Sequence, residues 1–577
     1  MDARRATAVS TVVLLVATLA GCGSTSSPPP STQTASSQPQ ASVTSSAPAP
    51  SEAAASATAT SAAKAGGTLI VALPGDLVRT DPILSNDSNS SYIERQVMQT
   101  LVAMKPGTTE LAPGLATSWD VSSDGLTYTF HLRQGVKFHD GTDFNAEAVK
   151  YNYDRWKNLP ESLHAFAVYY PIIFGGFGPA SIMRSIDVVD PLTVRINLTQ
   201  PKSNFLITQT LFPLAISSPA ALQAGDANNA DVTKSKYAQG GNPAMVGTGP
   251  FMFKEWVPGD HVTVVKNPNY WDPATAAYVD QVIFRPFPDQ TAELNALQAG
   301  EVDVAQTIKA SDVQIVKSDP KLQVVYRSQS CNVMTLDMNQ SHKPLDNKQI
   351  RMAIAYALNR QAYVDTFYAG LANLADNYMP LTIQYAIPMN VPTYNPDMAR
   401  QLIAQSGVKD PTIDFYYPPD VSRPYMPDPK GLFQAISADL QAVGFKIVPH
   451  TEGWTTGYLD DEYAGKFPMW LLGWTCDYPA IDNFLITGFF GYQNGKPSPE
   501  FGFTYDDLNK AMQDALAAPG DQEAAALWKN AQDIIAADFP AVPMFNSIVP
   551  AAAQAYVRGF VASGNLNERF NTVWLDK

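Results

Sequence analysis

Cysteine is almost missing from this chain. Cys22, Cys331 and Cys476 are the only three in 577 residues, too few for a disulfide-dense scaffold or a Cys-rich zinc site. Histidine is also sparse: His131, His139, His164, His261, His342 and His450 lie far apart. Each reads as a surface or hydrogen-bonded structural histidine rather than a ligand or base. Positive charge is in deficit, with Lys+Arg 39 against Asp+Glu 54 and a formal net charge of −15. Repelled phosphates release no counterions, which argues against nucleic acid or an anionic lipid surface as a partner. The motifs G-x-x-x-x-G-K-[ST], H-E-x-x-H, C-x-x-C and G-x-S-x-G are all missing, and with them the signatures of phosphate cradles, zinc proteases, redox pairs and serine hydrolases. Gly175-Gly176-Phe177-Gly178 follows no clean strand and runs into Pro179, so it reads as a surface loop rather than a dinucleotide site. The carboxylate pairs Asp460-Asp461 and Asp506-Asp507 read as solvated faces or helix caps, not as a catalytic dyad. No catalytic activity, cofactor or metal is expected.

What is present is apolar and aromatic. Hydrophobic residues make up 45% and aromatics 10%, enough for a sizeable core. Arg4 and Arg5 precede an apolar stretch over residues 6–20 that is too short to span a bilayer comfortably. It has the charged start and short apolar run of an export signal, and its ending Leu19-Ala20-Gly21-Cys22 resembles the lipobox of bacterial lipoproteins. That resemblance implies a signal peptide over residues 1–21 and an acylated Cys22 as the first mature residue. Residues 24–63 are Ser, Ala, Thr, Pro and Gln apart from Val43 and Glu52. Such a segment buries too little apolar area to offset its ordering entropy, so residues 22–65 are expected to form a flexible tether of roughly 35 Å.

From Gly66 onward strand and helix signals alternate. Residues 68–73 read as a short buried strand, and residues 192–198 alternate apolar and polar at period two after Asp190-Pro191. Asp124-Gly125 turns the chain into Tyr128, Phe130 and Leu132 on one strand face. Asp346, with Gln349 three residues on, is placed to cap a helix carrying Ile350, Ile354 and Leu358, with a further helical turn ending at Gly370. Asp289 is expected to cap a helix with Leu294 and Leu297 on one face, closed by Gly300. Asp521 starts another, with Leu527, Ala531, Ile534 and Ile535 at helical spacing. This order of mixed elements implies an α/β architecture in more than one lobe.

Four segments carry a family resemblance. They contain LAPGLATSWDVSSDGLTYTFHLRQGVKFHDGTDFNAEAVKYNYDRW, then VGTGPFMFKEWVPG with VKNPNYWD and LQAGEVDVA, then KPLDNKQIRMAIAYALNRQAYV, and finally GWTCDYPAIDNFL. In this order they resemble the peptide/nickel/opine (family 5) class of extracytoplasmic solute-binding proteins, which serve ATP-driven ABC importers. The resemblance implies a two-lobed type II periplasmic-binding fold of three subdomains, closing on its ligand by hinge motion. Lobe I would comprise residues 66–307 and 546–577, with an inserted subdomain at roughly 101–245, and lobe II residues 308–545. It implies a monomer anchored by lipid to the outer face of the cytoplasmic membrane, with an ABC permease and its ATPase subunits as partners and a short peptide as ligand.

The strings themselves are largely structural. His139-Asp140-Gly141 makes a turn, Asn145 is placed to cap a helix, and Val149, Tyr153 and Trp156 form its buried face. Gly247-Thr248-Gly249-Pro250 is a tight loop where backbone approaches a neighbouring strand or a ligand; packing is preferred there, with Gly247 and Thr248 kept as candidate ligand contacts. The strongest site string is Leu471-Leu472-Gly473-Trp474-Thr475-Cys476-Asp477-Tyr478. A buried strand ends there and presents an indole, a carboxylate and a phenol together. In peptide-binding members of the family the aspartate just after this tryptophan accepts the peptide's α-ammonium, a role that the resemblance carries to Asp477. The alternatives are a local cap or an internal Arg partner. Trp474, Thr475, Tyr478 and Tyr417 complete the expected lining. A sugar, opine or metal chelate remains the second reading, favoured if Asp477 is internally paired and aromatics such as Trp454 stack on the ligand. Pro479-Ala480-Ile481-Asp482-Asn483 departs from the family's acidic-Pro pattern, so loop shape and ligand length are left open. Cys331 and Cys476 are candidates for one disulfide in an oxidising compartment, although two buried free thiols are the preferred reading.

Overall fold

The computed structural model describes residues 63–287, 289–493, 496–497, 499–502, 505–564 and 568–577. The expected signal peptide, Cys22 and the tether up to residue 62 lie outside the described residues. Three sheets carry the fold. In the largest, seven strands run in the order Leu322–Val325, Ala551–Gln554, Val304–Ala305, Thr68–Leu73, Gln281–Pro286, His261–Lys266, Phe251–Val257. Thr68–Leu73 is parallel to both of its neighbours, with Thr68 opposite Gln281 and Val71 opposite Val304. Its β-branched and apolar residues suit a strand that is covered on both faces.

The second sheet has six strands, ordered Ala372–Leu374, Ala541–Ser547, Asn332–Met338, Met469–Thr475, Thr412–Tyr417, Lys446–Thr451. Asn332–Met338 is buried throughout and pairs antiparallel with Met469–Thr475, Asn332 lying opposite Thr475. The residues just outside that last pair, Cys331 and Cys476, are therefore brought together. They form a disulfide with Cα atoms 5.5 Å apart, and Cys476 N donates to Cys331 O at 2.8 Å. This overturns the preference for two free thiols; strand register, invisible across 145 residues of sequence, makes the pair.

The third sheet is antiparallel, in the order Ala116–Val121, Thr127–Leu132, Thr193–Leu198, Met183–Asp190. Tyr128, Phe130 and Leu132 alternate inward as expected. Over them lies the helix Ala146–Lys157, capped by Asn145 through the Ala148 N–H at 3.0 Å, with Val149, Tyr153 and Trp156 buried.

Asp289 caps Gln290–Ala299 by accepting from Thr291 N and Ala292 N, and Gly300 closes it at φ +76. The next expected cap is shifted by one residue. Asn347, not Asp346, accepts from Gln349 N at 2.9 Å, and the helix runs Lys348–Ala357. Leu358 leaves the helix with extended backbone, yet it stays buried in the same core. Sheet membership also differs from the expected lobe boundaries. The strand Leu322–Val325 joins the seven-stranded sheet by pairing with Ala551–Gln554, the helix Val313–Ser318 packs in the same core, and Ala541–Ser547 runs to its end in the six-stranded sheet. The chain therefore crosses between the two sheets at 326–331 and 548–550 rather than at 307/308 and 545/546.

Candidate functional site

The strand Met469–Thr475 is central and apolar, so it delivers the residues after it to a fixed place. Asn483, fully buried, organises the turn beyond the strand. Its Oδ1 accepts from Trp474 Nε1 at 3.0 Å and from Asp477 N at 2.9 Å, and its Nδ2 donates to Asp477 Oδ2 at 3.0 Å. The second carboxylate oxygen, Oδ1, accepts from the Tyr169 hydroxyl at 2.9 Å. Tyr169 opens the helix Tyr169–Phe174, which packs with the four-stranded sheet. Asp477 is thus held between the end of a strand of the six-stranded sheet and a helix that packs with the four-stranded sheet.

Burial pushes the Asp477 carboxyl above its usual range, and the Asn483 and Tyr169 hydrogen bonds pull it only partly back. Both donors are neutral. Among the described residues no cation lies within ion-pair distance of Asp477, so the internal Arg partner is not what the structure contains. A desolvated carboxylate with neutral donors still favours a cation beside it.

The other expected lining residues divide. Trp474 is half-buried with Gly488 packed against its ring. Thr475 lines a small cavity with Arg327, Gln329 and Asn332. Tyr478 does not face a ligand: it is 2% exposed, donates to Asp482 Oδ2 at 2.6 Å, and inserts with Ala480 into the core of the four-stranded sheet. Tyr417 is stacked on Phe433 with centroids 4.3 Å apart, inside the core of the six-stranded sheet. Gly247 and Thr248 are packing residues. A Cβ on Gly247 would collide with the Val97 carbonyl oxygen, and the fully buried Thr248 donates to Gln99 Oε1 at 2.9 Å. These two corrections share one reason, since both residues pack against the segment 97–99 at and just beyond the end of the helix Ser88–Val97.

A cavity of about 920 Å³ opens between the two larger sheets, and sequence reasoning missed its lining. Pro74, Asp289 and Lys309 border it on the side of the seven-stranded sheet, and Asp420 and Arg423 on the other. The segment 307–310 and the crossing at 547–550 also line it. This volume lies within the range of small-molecule sites. Asp420 accepts from Trp454 N at 2.9 Å, and the Arg423 guanidinium lies 4.7 Å from the Trp454 ring centroid. Arg423 Nε is buried without a hydrogen-bond partner. Trp454 is therefore occupied by Arg423 and by Tyr458, 5.8 Å away. Asp289 was legible only as a helix cap; it is that and a cavity residue at once. Among the described residues no group of three or more His, Cys, Asp or Glu side chains is disposed to hold a metal ion.

Comparison with known proteins agrees with this geometry. Residues 110–496 match the model of the bacterial extracellular solute-binding proteins, family 5 middle region. Heme-binding protein A of Haemophilus influenzae is 31% identical over 481 residues, 81% of this chain and 85% of that protein. The dipeptide-binding protein of Escherichia coli is 30% identical over 488 residues, 82% of this chain and 88% of that one. The structure of an ABC transporter-associated periplasmic binding protein from Helicobacter pylori in complex with the peptide STSA matches with TM-score 0.67 at 29% identity, covering 89% of this chain and 99% of that chain. The mixed sheets and helices adopt the type II periplasmic-binding fold of these neighbours, and the chain belongs to family 5 of the bacterial extracellular solute-binding proteins.

Proposed function

We propose that this protein captures short peptides in the cleft between two lobes and hands them to an ABC permease, without catalysis, while held at the outer face of the cytoplasmic membrane through a lipidated Cys22. The seven- and four-stranded sheets would make up one lobe and the six-stranded sheet the other, hinged at the two chain crossings. The observation that carries the peptide reading is Asp477, a half-buried, desolvated carboxylate whose only side-chain hydrogen-bond partners among the described residues are neutral. A peptide α-ammonium is the cation it lacks. Arg423, with an unsatisfied Nε at the cavity wall, is suited to the α-carboxylate at the other end. Relatives named for dipeptides, and a neighbour bound to a peptide, support the same class.

The test is calorimetry on four combinations: wild type and Asp477→Ala, each with a dipeptide such as Ala-Ala and with its N-acetylated form. If Asp477 reads the amino terminus, either change alone weakens binding strongly and the second adds little. Equal binding of free and acetylated peptide to the wild type would reject the reading and leave a sugar, opine or metal chelate as the solute. For the anchor, Cys22→Ala should release the protein from the membrane; unchanged retention would reject lipidation there.

A further inference from the structure

The helix Asp506–Leu516 is finished by a residue from another part of the fold. Leu508, Ala511, Met512 and Ala515 bury one of its faces in the core of the six-stranded sheet. No residue from 517 to 520 has positive φ, so the left-handed turn that commonly satisfies the last carbonyls of a helix is not made there. Ser203 supplies the missing donors. It donates from N to Leu516 O and from Oγ to Ala515 O, both at 2.8 Å, and among the described residues no other donor reaches Leu516 O.

Ser203 belongs to the four-stranded sheet's side. Phe205 N donates to Lys202 O at 3.0 Å, which makes a tight turn with Ser203 at its second position. That turn is anchored from both ends: the Tyr128 hydroxyl donates to Lys202 O at 3.2 Å, and Phe205 is fully buried with its ring centroid 4.3 Å from that of Tyr128. The same two regions touch at three more places. The turn at Gly125 packs on Pro519, where a Cβ on the glycine would lie 3.1 Å from the proline Cα. Tyr169 donates to Asp477, and Tyr478 and Ala480 insert into the four-stranded sheet's core. Ser203 borders neither the large cavity nor the small one beside Thr475.

We infer that Ser203 is a closure latch, a positioning residue that caps a helix of one lobe from the other and so tightens solute binding without touching the solute. This deepens the peptide-binding reading and rests on it for the two lobes and their hinge. When the lobes part, the Ser203 donors and the two helix-end carbonyls exchange each other for water. Closure is coupled to binding, so a contact made only in the closed form adds its net free energy to the affinity and has to break before release.

Stopped-flow binding and displacement of Ala-Ala, read by tryptophan fluorescence on the full-length protein, tests it. Ser203→Ala removes the hydroxyl donor. Ser203→Pro removes both donors, and proline suits the second position of such a turn. The dissociation rate should rise about threefold to tenfold in Ser203→Ala and further in Ser203→Pro, while the association rate stays within about twofold. Ser203→Thr, which keeps both donors, should restore the wild-type rate. A serine with a merely structural role would lower the melting temperature and leave dissociation unchanged; unchanged dissociation in both Ser203→Ala and Ser203→Pro overturns the latch. If Ala-Ala does not bind the wild type, the peptide reading falls, and small-angle scattering of the ligand-free proteins decides the latch alone. A larger radius of gyration for Ser203→Pro than for the wild type keeps it, and identical scattering removes it.

Discussion

Two carboxylates, the buried Asp81 and the half-buried Asp477, are satisfied in opposite ways. Asp81 is clamped by Arg155 of the helix Ala146–Lys157, whose NH2 and NH1 donate to its two oxygens at 2.5 and 3.3 Å, with both side chains about as buried as a core leucine. Arg155 also donates to Ala227 O at 2.9 Å and Asn228 Oδ1 at 2.8 Å. The site is closed. Asp477 has a phenol and an amide but no cation, and it lies between regions that belong to different sheets. Asp81 carries its own counter-charge, and removing that partner would leave an unpaired buried charge, which is strongly destabilising. A carboxylate left with neutral donors can tolerate the empty state by holding its proton more tightly, and it exchanges that for a ligand cation when one arrives.

The largest expected effect tests the closed site. Asp81→Ala strands the Arg155 guanidinium and should lower unfolding free energy by about 3–5 kcal/mol. Denaturant titration measures it, with the per-molecule affinity of the folded fraction unchanged. A loss well under 1 kcal/mol would show that Arg155 is held by Ala227 and Asn228 alone.

The open site should respond in binding rather than folding. Asp477→Ala is expected to weaken a free dipeptide by about 2–5 kcal/mol, or about one and a half to three and a half decades in Kd, with little change in melting temperature without ligand. If stability falls as it does for Asp81→Ala, the two carboxylates do not differ in kind.

The disulfide next to this position fixes the strand termini that present it. Cys331→Ser with Cys476→Ser should cost about 2–4 kcal/mol of stability through the freed unfolded chain, read by thermal denaturation against the oxidised protein. A preserved peptide affinity would assign the bond to the fold and not to the site.

The smallest effect is a pH dependence. Burial raises the Asp477 carboxyl, so the folded ligand-free protein holds that proton more tightly than the unfolded chain does. Its contribution to stability is complete below the unfolded carboxyl range of about 3.9 and fades as pH rises through the folded value. Asp289 works in reverse. Its helix-cap hydrogen bonds hold its carboxyl low, so its contribution is present above the unfolded range and is lost in acid. Asp477→Asn should therefore flatten the ligand-free stability curve on its alkaline side. The affinity for a cationic amino terminus should fall in acid, because the ligand pairs with the ionised form. Superimposable curves for wild type and variant would place Asp477 in a wetter setting.

How much of this is legible in the chain depends on the range of the interactions involved. The strand Thr68–Leu73, the alternation of Tyr128, Phe130 and Leu132, and the helix capped by Asn145 can be read from the sequence because periodicity and capping act within a few residues. The cap at Asn347 lies one residue beyond the expected Asp346, since Asp and Asn compete on equal terms at such positions. Asp477 is reached through a motif. Its donor Tyr169, 308 residues away, is not. Tyr478 looks like a pocket phenol because it follows a strand end, but the loop carries it into the core of another sheet. The cavity lining at Pro74, Asp289, Asp420 and Arg423 comes from elements that no local pattern connects.

Composition and motif order alone determined the α/β class, the family and the one carboxylate to examine, because each of these is written in short-range pattern. Tertiary structure alone decided the disulfide, the neutral partners of Asp477 and the place of the cavity. Register and sheet-to-sheet packing bring together residues hundreds apart, and whether a charge is compensated depends on what surrounds it rather than on what adjoins it in the chain.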